Sequence, residues 1–266
     1  MTNLYAGIEA GGTKFKCIIT DQNASILQEK TIPTTTPQVT MQQVLDFFRT
    51  ESQSYFVDLD GIGIGSFGPL DLNPSSANYG SITTTIKPGW SFYPILTTIQ
   101  RELKIPAVID TDVNAAALGE TIWGAGREIN HLLYLTIGTG IGGGAIIDGK
   151  PLHGLIHPEM GHFHIPHDPV VDPFKGCCPY HGDCFEGLAS GPALLARWGI
   201  RGEDLPDNHP AWELEAGYIA SALTAFICVL SPERIVLSGG VMRRQQLYGL
   251  VSKNVSYFCF EPTRCF

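Results

Sequence analysis

Apolar and polar positions alternate over short stretches at the start of the chain. Residues 4–8 form an apolar run that stops at Glu9-Ala-Gly-Gly-Thr-Lys14, residues 15–20 alternate again, and residues 25–32 carry the pattern of a third strand. Together they predict an antiparallel meander with a glycine turn between its first two strands. Pro37 then opens a helical stretch to about residue 53, with Val39, Val44, Leu45, Phe47 and Phe48 at mostly helical spacing. Beyond it the pattern predicts a strand at 61–65, a helix at 93–103, a strand at 107–109 and a helix at 113–123. A strand at 131–137, a glycine turn at 138–144 and a strand at 145–148 then repeat the opening theme about 128 residues later. Residues 211–230 read as a long apolar helix, 234–237 as a strand and 238–240 as a turn. The recurrence implies two related α/β domains, 1–112 and 113–266, with a cleft between them as the ligand site.

Composition sharpens this picture. The chain has 266 residues, 44% apolar and only 16% charged, so much of its surface is buried on folding. Lys and Arg number 17 against 26 Asp and Glu, a net charge of −9 that disfavours nonspecific nucleic-acid binding. A bound polyanion therefore needs backbone donors or a metal ion. No uninterrupted apolar run reaches the ~18 residues of a membrane span, and the first residues lack a basic signal-peptide region. The expectation is a cytoplasmic protein with neither a membrane nor a nucleic-acid partner.

Three of the seven cysteines, Cys177, Cys178 and Cys184, fall within eight residues. With His181 they give C-x2-H-x2-C, and His162 lies sixteen residues before Cys178. Two thiolates and two imidazoles are the donor set of a closed structural zinc site. The expected ligands are His162, Cys178, His181 and Cys184, with Cys177, His157, His164 and His167 as spare candidates, and zinc stapling a loop at about 153–186.

Glycine supplies the remaining chemistry, at 30 residues. A strand–Gly-Gly–strand turn lets the backbone approach a phosphate, because no Cβ intrudes. Gly11, Gly12, Thr13 and Lys14 can form an anion nest with an added hydroxyl and charge. The plain hairpin is the other reading. Gly138, Thr139, Gly140 and Gly142 form a second such turn, and Gly239-Gly240 is a third glycine element. Asp112 stands between a strand and a helix, where a carboxylate can take a proton from a substrate hydroxyl; a helix N-cap is its bland alternative. Asp110 is assigned a structural or capping task. Glu159 and Glu186 flank the Cys/His stretch and can clamp sugar hydroxyls or be merely solvated.

Two glycine hairpins, one per half, resemble the sugar kinase/actin/Hsp70-like ATPases. Nearly the whole chain resembles the ROK-family sugar kinases, and within them the bacterial fructokinase branch. The residues that carry this are Glu9–Lys14, Thr111-Asp-Val-Asn114 (Thr where Asn is usual), Gly138–Gly144, Glu159-Met-Gly-His162, the C-P-x-H-G-x-C run and Tyr79–Trp90, with Ile86 where Pro is common.

The resemblance implies a two-domain actin/hexokinase-like fold with a ribonuclease H-like motif in each domain. It also implies ATP-dependent phosphorylation of a free hexose, D-fructose above all, in a homodimer. Asp112 would be the general base, and Glu159, His162 and Glu186 would bind sugar, assisted by Asn114, Ser66 and Gly68. The glycine turns and Mg²⁺ would hold the phosphates, and zinc would order the sugar-binding loop. Glucokinase, mannokinase and N-acetylhexosamine kinase are neighbouring possibilities. A sugar-binding regulatory module is the non-enzymatic one, and a repressor would need a DNA-binding segment before Glu9. The tail at 257–266 reads unlike the family's closing helix, which implies a shortened end.

Overall fold

The computed structural model of the chain describes residues 3–55 and 59–258; of the tail at 257–266, expected to depart from the family, residues 259–266 lie outside the described residues. Two compact units emerge, Met1–Ala116 with His153–His157, and Ala117–Leu152 with Pro158–Phe266.

The first unit is built on a five-stranded sheet. Strands β1 (Leu4–Ala10), β2 (Lys14–Asp21) and β3 (Ile26–Pro33) form the antiparallel meander, and β4 (Gly61–Ser66) and β5 (Ala107–Thr111) add in parallel, in the order β3-β2-β1-β4-β5. Helices α1 (Pro37–Tyr55) and α2 (Ile95–Leu103) cover one face. Phe47, Phe48, Ile95 and Ile99 pack there against Ile8, Phe15 and Ile64, all buried. The alternation in β1 and β2 thus records a sheet with one covered face.

Register decides where chemistry can sit. Ala10 pairs with Ser66, and Ser66 with Thr111, so β1, β4 and β5 end together. The segments leaving them are the turn at Gly11, the stretch Ser66–Gly68 and Asp112, the first residue of helix α3 (Asp112–Trp123). Ligands of open α/β sheets bind beyond such carboxyl ends.

The second unit repeats the design with the order β8-β7-β6-β9. Strand β6 (Leu132–Ile137) pairs antiparallel with β7 (Ile141–Ile147) and parallel with β9 (Arg234–Ser238), and β8 is the short Lys150–Pro151. Helices α4 (Phe185–Ala189), α5 (Gly191–Trp198), α6 (Ala211–Leu230) and α7 (Gln246–Phe258) complete it. Helix α6 has the length and composition of a membrane span. It nonetheless carries Glu213 and Glu215, and it buries Trp212, Ile219 and Leu223 with Leu135 and Leu247 in this unit's core.

Among the boundaries that shift from the sequence reading, one bears on the candidate site. Gly142 was expected in a turn running to residue 144, but the turn closes by Gly140 and Gly142 pairs with Thr136 inside β7. The cause lies at its neighbour: a Cβ on Gly143 would sit 2.6 Å from Met160 Sδ and 2.7 Å from Leu135 Cδ2. Glycine is there for close packing of a strand, which local sequence cannot tell from a turn.

Candidate active site

The turn at Gly11 is held from outside. Gly11 N–H donates to Lys14 O at 3.0 Å, Thr34 Oγ1 donates to Gly11 O at 2.7 Å, and Thr34 N–H donates to Thr13 O at 2.9 Å. The side chains of Thr13 and Lys14 are exposed, and the glycines are half-buried. What a Cβ on Gly12 would meet is the end of the Lys87 side chain, with Cε at 3.1 Å and Nζ at 3.9 Å. The backbone face of the turn is the kind of surface a phosphate can reach.

Asp112 begins α3, but the cap is its neighbour. Thr111 Oγ1 accepts from Asn114 N–H, three residues on, at 3.1 Å, and Thr111 is buried. That is the N-cap bond. Asp112 is half-buried, and its Oδ1 accepts from Val113 N–H at 2.9 Å. Its carboxylate sits in the first turn of the helix.

Asp110 organises a separate group. Its Oδ1 accepts from Asn114 Nδ2 at 2.8 Å, and its Oδ2 lies 2.9 Å from His153 Nε2. Asn114 is almost fully buried in this arrangement. His157, four residues along the same strap, accepts from Leu70 N–H at 3.1 Å and faces Gly68. Ser66 is buried, with its hydroxyl donating to Phe67 O. His153 was missed by sequence reasoning, since only the fold brings it to Asp110. His157 had been a spare metal ligand; here it holds a backbone amide instead.

In the second unit the glycine elements meet at the ends of β6 and β9. Gly239 has φ +96°, and a Cβ on it would lie 2.3 Å from Ile137 O. Gly240 N is 3.5 Å from where a Cβ of Gly138 would be. Gly191 N–H donates to Gly138 O at 2.7 Å, and Gly138 N–H donates to Gly140 O at 2.9 Å. Thr139 is exposed at the tip. Glu186 reaches this turn: its Oε2 accepts from Ile141 N–H at 2.9 Å.

The Cys/His residues converge. The donor atoms of His162, Cys178, His181 and Cys184 all lie within 4.8 Å of one another. His162 Nδ1 is 3.7 Å from Cys178 Sγ and 3.8 Å from Cys184 Sγ, and His181 Nδ1 is 3.8 Å from Cys178 Sγ. A tetrahedral ion with bonds of about 2.0–2.3 Å needs donors about 3.3–3.8 Å apart. The hairpin that places them is closed by Cys178 and Gly182 bonding to each other through both backbone groups. The spare residues lie elsewhere. Cys177 faces Ser190, His164 and His167 pair with Asp183, and His167 also meets Asp172 O.

His162 has two faces. Nδ1 turns to the thiols, while Nε2 is 4.0 Å from Glu186 Oε1. Glu159 is exposed and starts the turn closed by His162 N–H donating to Glu159 O. Gly161 lets this turn press on β7, since a Cβ would fall 2.0 Å from Ile141 O.

Two sheets built on one strand order, with glycine turns at the strand ends and a carboxylate opening a helix, define an ATPase-type fold of the actin/hexokinase class. Within that class the chain belongs to the ROK family, which it matches over residues 5–264. It is 45% identical over 253 residues to the fructokinase of Lactococcus lactis subsp. cremoris, covering 95% of this chain and 84% of that protein. It is 44% identical over 241 residues to the fructokinase of Zymomonas mobilis subsp. mobilis, covering 90% and 80%. The ROK hexokinase of Thermus thermophilus superposes with a TM-score of 0.80 at 25% identity, over 96% of this chain and 88% of that one.

Proposed function

We propose that the chain transfers the terminal phosphoryl group of Mg·ATP to a hydroxyl of a free hexose, with D-fructose to fructose 6-phosphate as its main reaction. The observation that carries this is Asp112 at the start of α3, with the capping duty taken by Thr111 and the Gly11–Gly12 turn leaving the same sheet edge. In the step, the hydroxyl oxygen bonds to the γ-phosphorus and the bond from that phosphorus to the bridging oxygen breaks. The electron pair leaves on ADP and the hydroxyl proton goes to Asp112. Such transfer is mostly positioning and charge neutralisation. Glycine turns supply donors without adding charge to a chain of net −9.

In this reading Gly11–Lys14, Gly138–Gly140 and Gly239–Gly240 hold the nucleotide, to which Mg²⁺ is bound. Glu159, the Nε2 side of His162, Glu186 and Asn114 hold the sugar, with Ser66 and Gly68 shaping the floor. His162, Cys178, His181 and Cys184 hold a structural zinc ion; its two thiolates, two imidazoles and donor spacing fit zinc in closed coordination. A homodimer is carried over from the family resemblance and a cytoplasmic location from the sequence reading, and sedimentation analysis tests the former.

The deciding experiment is a coupled ADP-release assay over fructose, glucose, mannose and N-acetylmannosamine. Fructose is expected to give the highest kcat/KM. Failure to release ADP with any hexose would overturn the kinase reading, and a higher kcat/KM for another sugar would overturn fructose.

A further inference from the structure

A lysine remote in sequence lies over the first glycine turn. A Cβ built on Gly12 would be 3.1 Å from Lys87 Cε and 3.9 Å from Lys87 Nζ. Lys87 is half-buried, and no ion pair or hydrogen bond to its ammonium is found among the described residues.

The placement is built. Trp90 N–H donates to Lys87 O at 3.2 Å, with Pro88 second and Gly89, at φ +79°, third in the turn. This is the residue pattern of a type II turn, which fixes the direction in which Lys87 leaves the backbone. Trp90 is 1% exposed and packs among Phe15, Phe67 and Tyr93, with ring centroids 5.3–5.7 Å away. Its Nε1 donates to Thr35 O at 2.7 Å. The preceding residue, Thr34, is the one that holds Gly11 O and Thr13 O. One chain of contacts therefore sets both the turn and the lysine above it.

We propose that Lys87 is a phosphate ligand at the Gly11–Gly12 turn, and that it meets a nucleotide phosphate of the transfer reaction. The proposal rests on reading that turn as a phosphate cradle. Lys14, at the base of the same hairpin, is exposed and carries the sequence motif; Lys87 is the half-buried cation whose side-chain end lies against Gly12. A point charge there offsets phosphate charge without adding a base to the site.

The test compares wild type with Lys87→Met, which keeps the stem, and Lys87→Arg, which keeps the charge. Affinities for a non-hydrolysable ATP analogue, for fructose and for fructose 6-phosphate are measured by calorimetry. The methionine variant should bind the analogue about ten- to hundredfold more weakly, the worth of one charged hydrogen bond. Its fructose affinity should stay within about twofold of wild type, and Lys87→Arg should recover part of the loss. Unchanged analogue affinity overturns the proposal, as does a loss seen only with fructose 6-phosphate. A parallel loss for fructose also overturns it, because that reports a damaged unit rather than a missing charge. If Lys87→Met melts without cooperativity, Lys87→Gln takes its place. Should the wild type phosphorylate no hexose, the kinase reading falls, and the analogue titration still judges Lys87 alone.

Discussion

Single atoms separate chemistry from structure at the start of α3. Thr111 and Asp112 are adjacent hydrogen-bonding residues, and either could cap the helix by its sequence. The bond from Asn114 N–H to Thr111 Oγ1 settles the cap, so a change at Asp112 removes a carboxylate and leaves the helix start in place. Asp112→Asn should lower kcat by about 10²–10⁴-fold, the usual worth of a general base. Fructose and nucleotide affinities should hold nearly steady, because the amide keeps the shape. Steady-state kinetics beside calorimetric titration checks this; a wild-type kcat would remove Asp112 from the mechanism. Gly239 offers the opposite case, where any side chain is too much. With φ +96° and Ile137 O in the way, Gly239→Ala should cost at least about 1–3 kcal/mol from backbone strain alone. A denaturant titration reads that loss as a lower midpoint.

Among the elements, α6 carries the clearest pH signature. Glu215 is fully buried, and neither carboxyl oxygen has a hydrogen-bond partner among the described residues. Burial pushes its pKa well above the ordinary 4.5, and nearby Arg197 only partly opposes this. The unfolded carboxyl ionises near 4.5 while the folded one keeps its proton to higher pH. Folding is therefore favoured most below the unfolded value, and stability falls as pH rises through the window between the two. Glu215→Gln, which cannot ionise, should flatten that fall. From pH 5 to pH 8 the wild type should lose a few degrees more of melting temperature, at roughly 2–4 °C per kcal/mol; equal slopes would count against a protonated Glu215. The same helix was legible in the sequence through its length, as the meander was through its alternation. The Cys/His cluster was legible because five of its seven central positions are fixed by local spacing and turn residues. Helices α4, α5 and α7 were not read; α4 and α5 are too short for periodicity. A Ser-Gly-Pro signal was available all the same, since Ser190 Oγ accepts from Ala193 N–H and caps α5. His153 and Lys87 had no local signal, because each gains its meaning from a partner far away in the chain.

For the whole molecule, one residue links the Cys/His cluster to the second glycine turn. Glu186 follows Cys184 by two positions and holds Ile141 N–H. From sequence, metal would order the sugar-binding loop alone; the hydrogen bond would extend the reach of the proposed zinc to the second glycine turn, proposed above to hold the nucleotide. Removing zinc should weaken both fructose and nucleotide-analogue binding, and re-added zinc should restore both. Hydrogen exchange should rise around residues 138–141 and 159–187 and stay unchanged across β1 and β2, which are built without metal. Equal affinities in chelated and zinc-restored protein would dismiss the coupling. The strap His153–His157 bears on how the molecule is made. It belongs with the first sheet, where it meets Asp110 and Leu70 N–H, yet it is encoded after three strands of the second. Residue 157 follows residue 116 by 157 − 116 = 41 positions. At roughly 5–20 residues per second, the ribosome adds that stretch in about 2–8 s. During that interval the nascent first sheet exists without its last piece, and Asp110 and Asn114 wait for a histidine not yet translated. A gene cut after codon 116 would keep the first unit in that unfinished state, with Asp110 Oδ2 and Leu70 N–H lacking their histidine partners.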